Sequence, residues 1–321
     1  PSFSKGLEFI ATILHTSKNL GRSLATLISS SAVSYHIIPQ PPTYSMGPNV
    51  RVIPNDKLYI SEPNPVWFGN GPNKVDDPSW TNDNWLKSRF HFSFAEYQNF
   101  KNSQFGKLRV MNDDLVQPHT GFGAHGHSNM EILTYVVHGG LYHKDSMGTE
   151  ETLSRGSIQF MTAGKGITHE EFNNESRPLR FIQTWILPRS QGLAPKYGSF
   201  SNSLELRRNT LQHLVSDVKN AASITPVKIN QDIDTYTAEL EIGKKVELSL
   251  ADGRMAYALC IEGGIKINQK QLMKYDGCEI TGSGGLLEIE ATHVEETETG
   301  NVSHILIFVL PTEKGAGRTD I

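Results

Sequence analysis

The chain has 321 residues, 37% of them hydrophobic, enough for two domains that each bury a core of their own. Its 30 Lys and Arg against 34 Asp and Glu leave a formal charge of −4. Both signs are scattered, which excludes a basic face for direct nucleic-acid reading and an acidic tail for a basic partner. Two cysteines, Cys260 and Cys278, without CxxC spacing exclude a disulfide framework and a cysteine-built zinc site. No apolar run reaches the roughly 18 residues that span a bilayer.

In chain order, residues 1–38 are Ser-rich and nearly free of acids, and Ile10, Ile13, Leu14, Leu20, Leu24, Leu27 and Ile28 fall near helical spacing. An N-terminal extension over residues 1–45, helical in part, is expected. It reads either as a transit peptide addressing a mitochondrion or as a helix packed on the body of the protein. From Pro39 to Ser88 the chain is dense in Pro, Asn and Gly, a long surface excursion with short strands at most. Then "LRVMNDDLV", "MEILTYVVHGGLYHK", "SIQFMTAG" and "LRFIQTWIL" follow, β-branched and aromatic runs bounded by turn residues. Short strands without intervening helices predict a sandwich or jelly roll. After a break near residue 200, a second set runs from "VKINQDIDTYTAELEI" to "HILIFVLP". The expected division is residues 1–45, a first β domain over 46–200 and a second over 201–321.

The stretch "GFGAHGHSNMEILTYV" (121–136) carries His125 and His127 two residues apart, and "GKGITHEEFN" carries His169 and Glu171 at the same spacing. On a strand, residues two apart share a face about 7 Å apart, so each pair can point at one ion. A single HxH is weak and reads as readily as two incidental imidazoles. Two such pairs on neighbouring strands would offer three nitrogen donors and one carboxylate, a set that suits a catalytic transition metal better than a structural zinc.

These residues resemble the cupins, and more closely the pirin family. The likeness runs through "WLKSRFHFSFAEY", "FGKLRVMNDDLV", "GFGAHGHSNMEILTYV", "HKDSMG", "RGSIQFMTAGKGITHEEFN" and "IQTWILP", in order over about 100 residues, and the bacterial-type members are the nearer ones. The resemblance implies an all-β bicupin of two jelly-roll barrels, with one metal site in the first barrel and none in the second. It implies His125, His127, His169 and Glu171 as ligands, with Fe(II) the first choice and Mn, Co or Ni fitting the same donors. Glu131 precedes Gly139 by eight residues rather than the seven usual in cupins, which reverses its face and leaves the apolar Ile132 in the ligand slot. Glu131 is therefore expected in the second shell or in a structural pair at the rim. Phe122, Met161, Phe181 and Trp185 are candidates for a pocket lining, with the core as their alternative. His143 reads as a hairpin residue beside the turn formers Asp145 and Gly148, and His119 as a solvated loop histidine. His293 and His304 are isolated.

What the resemblance implies for function is oxidation of quercetin-type flavonols by dioxygen, with Glu171 as ligand, proton acceptor or both. The partners expected are a small aromatic substrate and dioxygen, with no direct nucleic-acid binding and no membrane. A second reading is a non-enzymatic, redox-sensing metal protein that assists transcription factors, and a third is a stress protein with a structural metal. Both leave room for a protein partner. A monomer in the cytoplasm or nucleus is expected.

Overall fold

Strand-rich sequence becomes two back-to-back barrels in the computed structural model, which describes residues 47–71 and 85–313. The helix expected over residues 1–38 lies outside the described residues. The first twelve strands are β1 (Asn49–Ile53), β2 (Tyr59–Ser61), β3 (Leu86–Phe90), β4 (Leu108–Val116), β5 (Gly121–His127), β6 (Glu131–His138), β7 (Leu141–Asp145), β8 (Glu150–Leu153), β9 (Ile158–Thr162), β10 (Ile167–Asn173), β11 (Leu179–Ile186) and β12 (Lys196–Phe200). Of these, β12, β9, β6, β11, β4, β3 and β2 form a seven-stranded sheet in that order, and β5, β10, β7 and β8 form the four-stranded sheet that closes the first barrel.

The second barrel repeats the plan. Its larger sheet runs Gly277–Thr281, Arg254–Glu262, Gly300–Pro311, Asp234–Leu240, Gln212–Asp217 and Val227–Ile229. Its smaller sheet joins Lys245–Leu250, Gly285–His293, Gly264–Ile267 and Lys270–Met273.

The two large sheets pack face to face. Leu133, Tyr135 and Val137 of β6 share one apolar cluster with Tyr257, Leu259, Leu306 and Phe308 of the second barrel. The alternate residue Val136 belongs instead to the first barrel's interior, with Phe181 and Trp85. This is why "EILTYVVH" is buried on both faces, as a strand flanked by layers on both sides must be. The joint is also polar. Arg155 donates to Glu239 Oε1 at 3.1 Å and to both oxygens of Glu262 at 3.0 and 2.6 Å. His304 bridges Glu262 and the Tyr135 hydroxyl at 3.0 and 2.9 Å.

Two expectations need correction here. Strand β1, assigned to the first domain by a boundary at residue 46, pairs antiparallel with Gly277–Thr281 of the second barrel, Val50 opposite Ile280. Its Val50 side chain fills the second barrel's core, so burial and free backbone partners at that sheet edge decide its place. The Pro- and Gly-rich excursion is likewise not confined to the surface. It supplies β2, and the short 3₁₀ turn Pro65–Phe68, capped by Asn64 accepting from Val66 N, brings Phe68 against Trp85 with ring centroids 5.1 Å apart.

Candidate metal centre

Strands β5 and β10 pair antiparallel, with His127 opposite Ile167 and His125 opposite His169. Between His169 and Glu171 the register slips, so that Glu171 lies opposite Phe122. Gly123 and Ala124 of β5 thus oppose the single residue Glu170 of β10, a bulge at two small residues. Without it, strict alternation would turn Phe122 away from the face that carries His125 and His127. With it, Phe122 and both histidines line one cavity.

One donor atom from each of His125, His127 and His169 lies within 4.8 Å of the others, and the ring centroids are 4.5 to 4.9 Å apart. A second such group joins His169 to His143 and Glu171. His125 Nδ1 lies 2.8 Å from the Gly123 carbonyl oxygen, which accepts its proton and leaves Nε2 as the lone pair that faces the cluster. Burial, with His169 and His125 nearby, pushes His127 down to about 4. Burial, with His125 and His143, pushes His169 down to about 3. Both imidazoles are therefore neutral at ordinary pH, the form that ligates a metal.

His169 is 2% exposed, and neither of its ring nitrogens has a hydrogen-bond partner. Buried polar atoms are rarely left unpaired without a role. Two orphaned nitrogens amid imidazoles and a carboxylate fit a divalent metal, as does the donor set itself.

Glu171 is held from the opposite sheet. Its Oε1 accepts from Gln159 Nε2 at 2.6 Å and its Oε2 from Gln183 Nε2 at 3.0 Å. Thr134 Oγ1 lies 3.3 Å from Oε1 and donates to Gln183 Oε1 at 2.8 Å. Thr134, Gln159 and Gln183 occupy facing positions on three adjacent strands of the large sheet, so one polar row orients the carboxylate. Beyond Gln159, the Tyr197 hydroxyl donates to Gln159 Oε1 at 3.0 Å or to Glu151 Oε1 at 2.7 Å, and its ring stacks on His143 at 4.4 Å.

The cavity above the cluster has a volume of about 210 Å³. Phe68, Phe90, Phe94, Phe122 and Trp185 make its walls, with Trp67 at the lip.

The candidates separate as follows. His125, His127 and His169 come together, and Glu171 meets His169 in the second group, with His143. Phe122 and Trp185 line the cavity, whereas Met161 is buried in a side cluster with Ile132, Ala163 and Ile167 and does not line it, because the cavity opens on the β2–β4 side of the large sheet. Phe181 joins the core beneath Phe122. Glu131 faces away, toward the second barrel, where Oε1 accepts from Asn230 at 3.1 Å and Oε2 from Thr162 at 2.9 Å. It is a structural carboxylate rather than part of the cluster's surroundings. His119 is exposed at a turn. His143, read from the sequence as a hairpin residue, lies opposite Glu171 on β7 and belongs to the second donor group. The polar row of Thr134, Gln159 and Gln183 carried no sequence signal, since ordinary strand residues become a clasp only through strand pairing.

Residues 74–186 match the family model described as Pirin, and residues 214–308 the model described as quercetinase C-terminal cupin domain. A pirin-like protein of Caulobacter vibrioides is 38% identical over 196 residues, 61% of this chain and 84% of that protein. The chain belongs to the pirin family. Among other pirin relatives, the quercetin 2,3-dioxygenase of Escherichia coli K12 is 33% identical over 240 residues, covering 74% of this chain and 97% of that one. The crystal structure of bacterial pirin YhhW from E. coli in complex with nickel(II) superposes with a TM-score of 0.65 at 28% identity, over 82% of this pirin and 99% of YhhW. The expected bicupin fold is thereby established. These relatives are bacterial and lend no support to a nuclear or mitochondrial address. Among the described residues no helix is long and apolar enough to cross a membrane.

Proposed function

We propose that this pirin is a metal-dependent dioxygenase of flavonol-type substrates, its ion held by His125, His127, His169 and Glu171. The observation that carries the reading is the pair of unpartnered His169 nitrogens, grouped with His125 and His127, which themselves line an aromatic-walled cavity. This supports a metal held within reach of a flat aromatic molecule in the cavity. When bound, a divalent transition metal supplies Lewis acidity and open positions for oxygen donors. Iron(II) is the first choice, and nickel gains support from the ion named with the E. coli relative.

The protein's own part is binding, orientation and proton transfer. Phe90, Phe94, Phe122 and Trp185 offer ring faces and edges to a planar substrate and displace water from it. Glu171 faces the same cavity and is placed to take the enolic hydroxyl proton of a flavonol. Gln159 and Gln183 hold its two oxygens from the opposite sheet, so the carboxylate keeps one orientation through that transfer. Dioxygen then adds across the activated ring, both its atoms ending in the opened ester, and carbon monoxide leaves.

The test is elemental analysis of the purified protein followed by oxygen uptake with quercetin. Stoichiometric oxygen consumption with carbon monoxide release supports the reading. Metal-replete protein that consumes no oxygen overturns it.

A further inference from the structure

The cavity wall is mainly apolar and largely aromatic, with polar side chains at three places. One is the metal-side cluster, and a second is Glu96, whose carboxylate accepts from the Ser61 hydroxyl. The third is a polar patch on β3 and β4 made by Ser88, Asn112 and Asp114, all of which line the same cavity. Asn112 is 4% exposed, and its Oδ1 has no hydrogen-bond partner. Asp114 is equally buried, and its one side-chain partner among the described residues is the Ser88 hydroxyl, which donates to Oδ1. The neighbouring Asp113 points to the other face, where Arg180 grips both its oxygens at 2.8 and 2.6 Å. Among the described residues no cation thus accounts for Asp114 in the way Arg180 accounts for Asp113.

An unpaired buried acceptor is unfavourable and is expected to serve something that arrives from outside. Asn112 sits directly opposite Gln183 in the ladder, one strand spacing, about 5 Å, from the residue that clasps Glu171. A molecule engaging the metal-side cluster with one ring therefore carries its remaining rings past this patch.

We propose that Ser88, Asn112 and Asp114 form a second polar subsite that binds a hydroxyl on the substrate's distal ring, with Asn112 Oδ1 accepting its proton. The substrate class is thereby narrowed from flavonols in general to polyhydroxylated ones. Discrimination comes from the site's own unpaired acceptor, which a bare ring leaves unsatisfied. The inference rests on the flavonol reading above.

The test compares two probes, quercetin and 3-hydroxyflavone, which share the metal-binding enol and differ in hydroxyls on the other rings. Binding to metal-loaded protein is followed without oxygen by quenching of tryptophan fluorescence, for the wild type, Asn112→Leu and Ser88→Ala. The expected result is quercetin affinity weakened about tenfold or more in Asn112→Leu, the scale of one buried hydrogen bond, with 3-hydroxyflavone within about twofold. Ser88→Ala is expected to shift the ratio in the same direction by less, and it carries the comparison if Asn112→Leu does not fold. Equal loss for both probes, or no loss for either, overturns the subsite while leaving the flavonol reading intact. A wild type that binds neither probe overturns both.

Discussion

Glu171 is the residue whose two roles pull apart. As a ligand it gives an oxygen to the metal, and as a base it takes a proton. Glu171→Gln keeps the size and one oxygen donor while removing charge and basicity. Metal affinity should fall, and the three histidines should keep the donor group together. If Glu171 accepts the substrate proton, quercetin-dependent oxygen uptake at saturating metal should remain about a hundredfold or more below wild type, the scale of a lost general base. Recovery of full activity with excess metal would assign Glu171 to ligation alone. Asp114 offers a separate readout. Burial pushes its carboxyl up to about 8 against the Ser88 hydrogen bond, with Asp113 and Glu171 adding to the rise. Its pKa is raised on folding, so the stability it contributes is complete below about 4 and is lost as pH climbs toward 8, where the folded state finally releases the proton. In metal-free protein, the melting temperature of wild type should fall relative to Asp114→Asn between about pH 4 and 8 and run parallel above that. A constant difference across the range would show that Asp114 is ionised in the folded cavity.

At the scale of elements, the centre is two antiparallel strands with a bulge between them, and the expected metal content follows. One equivalent per chain should bind the wild type and be lost in the His125→Ala, His127→Ala double variant. The metal-free melting temperature should hardly move, because both histidines sit on a partly exposed strand and not in a core. Two equivalents in the wild type would mean that the group of His143, His169 and Glu171 holds an ion of its own. Strand pairing also marks what the sequence could and could not disclose. The alternation within β5 and β10 is local, so His125, His127, His169 and Glu171 can be picked out from spacing. The turn at Asp145 is local too, and its Oδ1 does accept from Met147 N and Thr149 N at 2.8 and 3.1 Å. That His143, two residues earlier, faces Glu171 depends on β7 pairing with β10, and no spacing within "YHKDSMG" encodes it. The same holds for Asn112, Gln159 and Gln183, each an unremarkable strand residue until three strands align. Glu131 shows the reverse case, since its offset from Gly139 already places it on the far face, and its partner Asn230 lies 99 positions away. Strand β1 escaped the sequence because a five-residue run between prolines joins whichever edge is vacant.

For the whole molecule, the shared layer between the two barrels carries a thermodynamic consequence. Leu133 and Tyr135, which face the second barrel, alternate along one strand with Thr134, which touches Glu171. Neither barrel can melt while the other keeps its packed face, so unfolding should be cooperative across both. An ion bound only by the first barrel would then protect the second, raising the free energy of the single transition by about 2.7 kcal/mol when present at a hundred times its dissociation constant. Calorimetry with and without metal should record one peak that moves as a unit, and two peaks of which one ignores the metal would show the halves to be energetically independent. The second barrel would in this way report, through its heat of melting, on the occupancy of its neighbour.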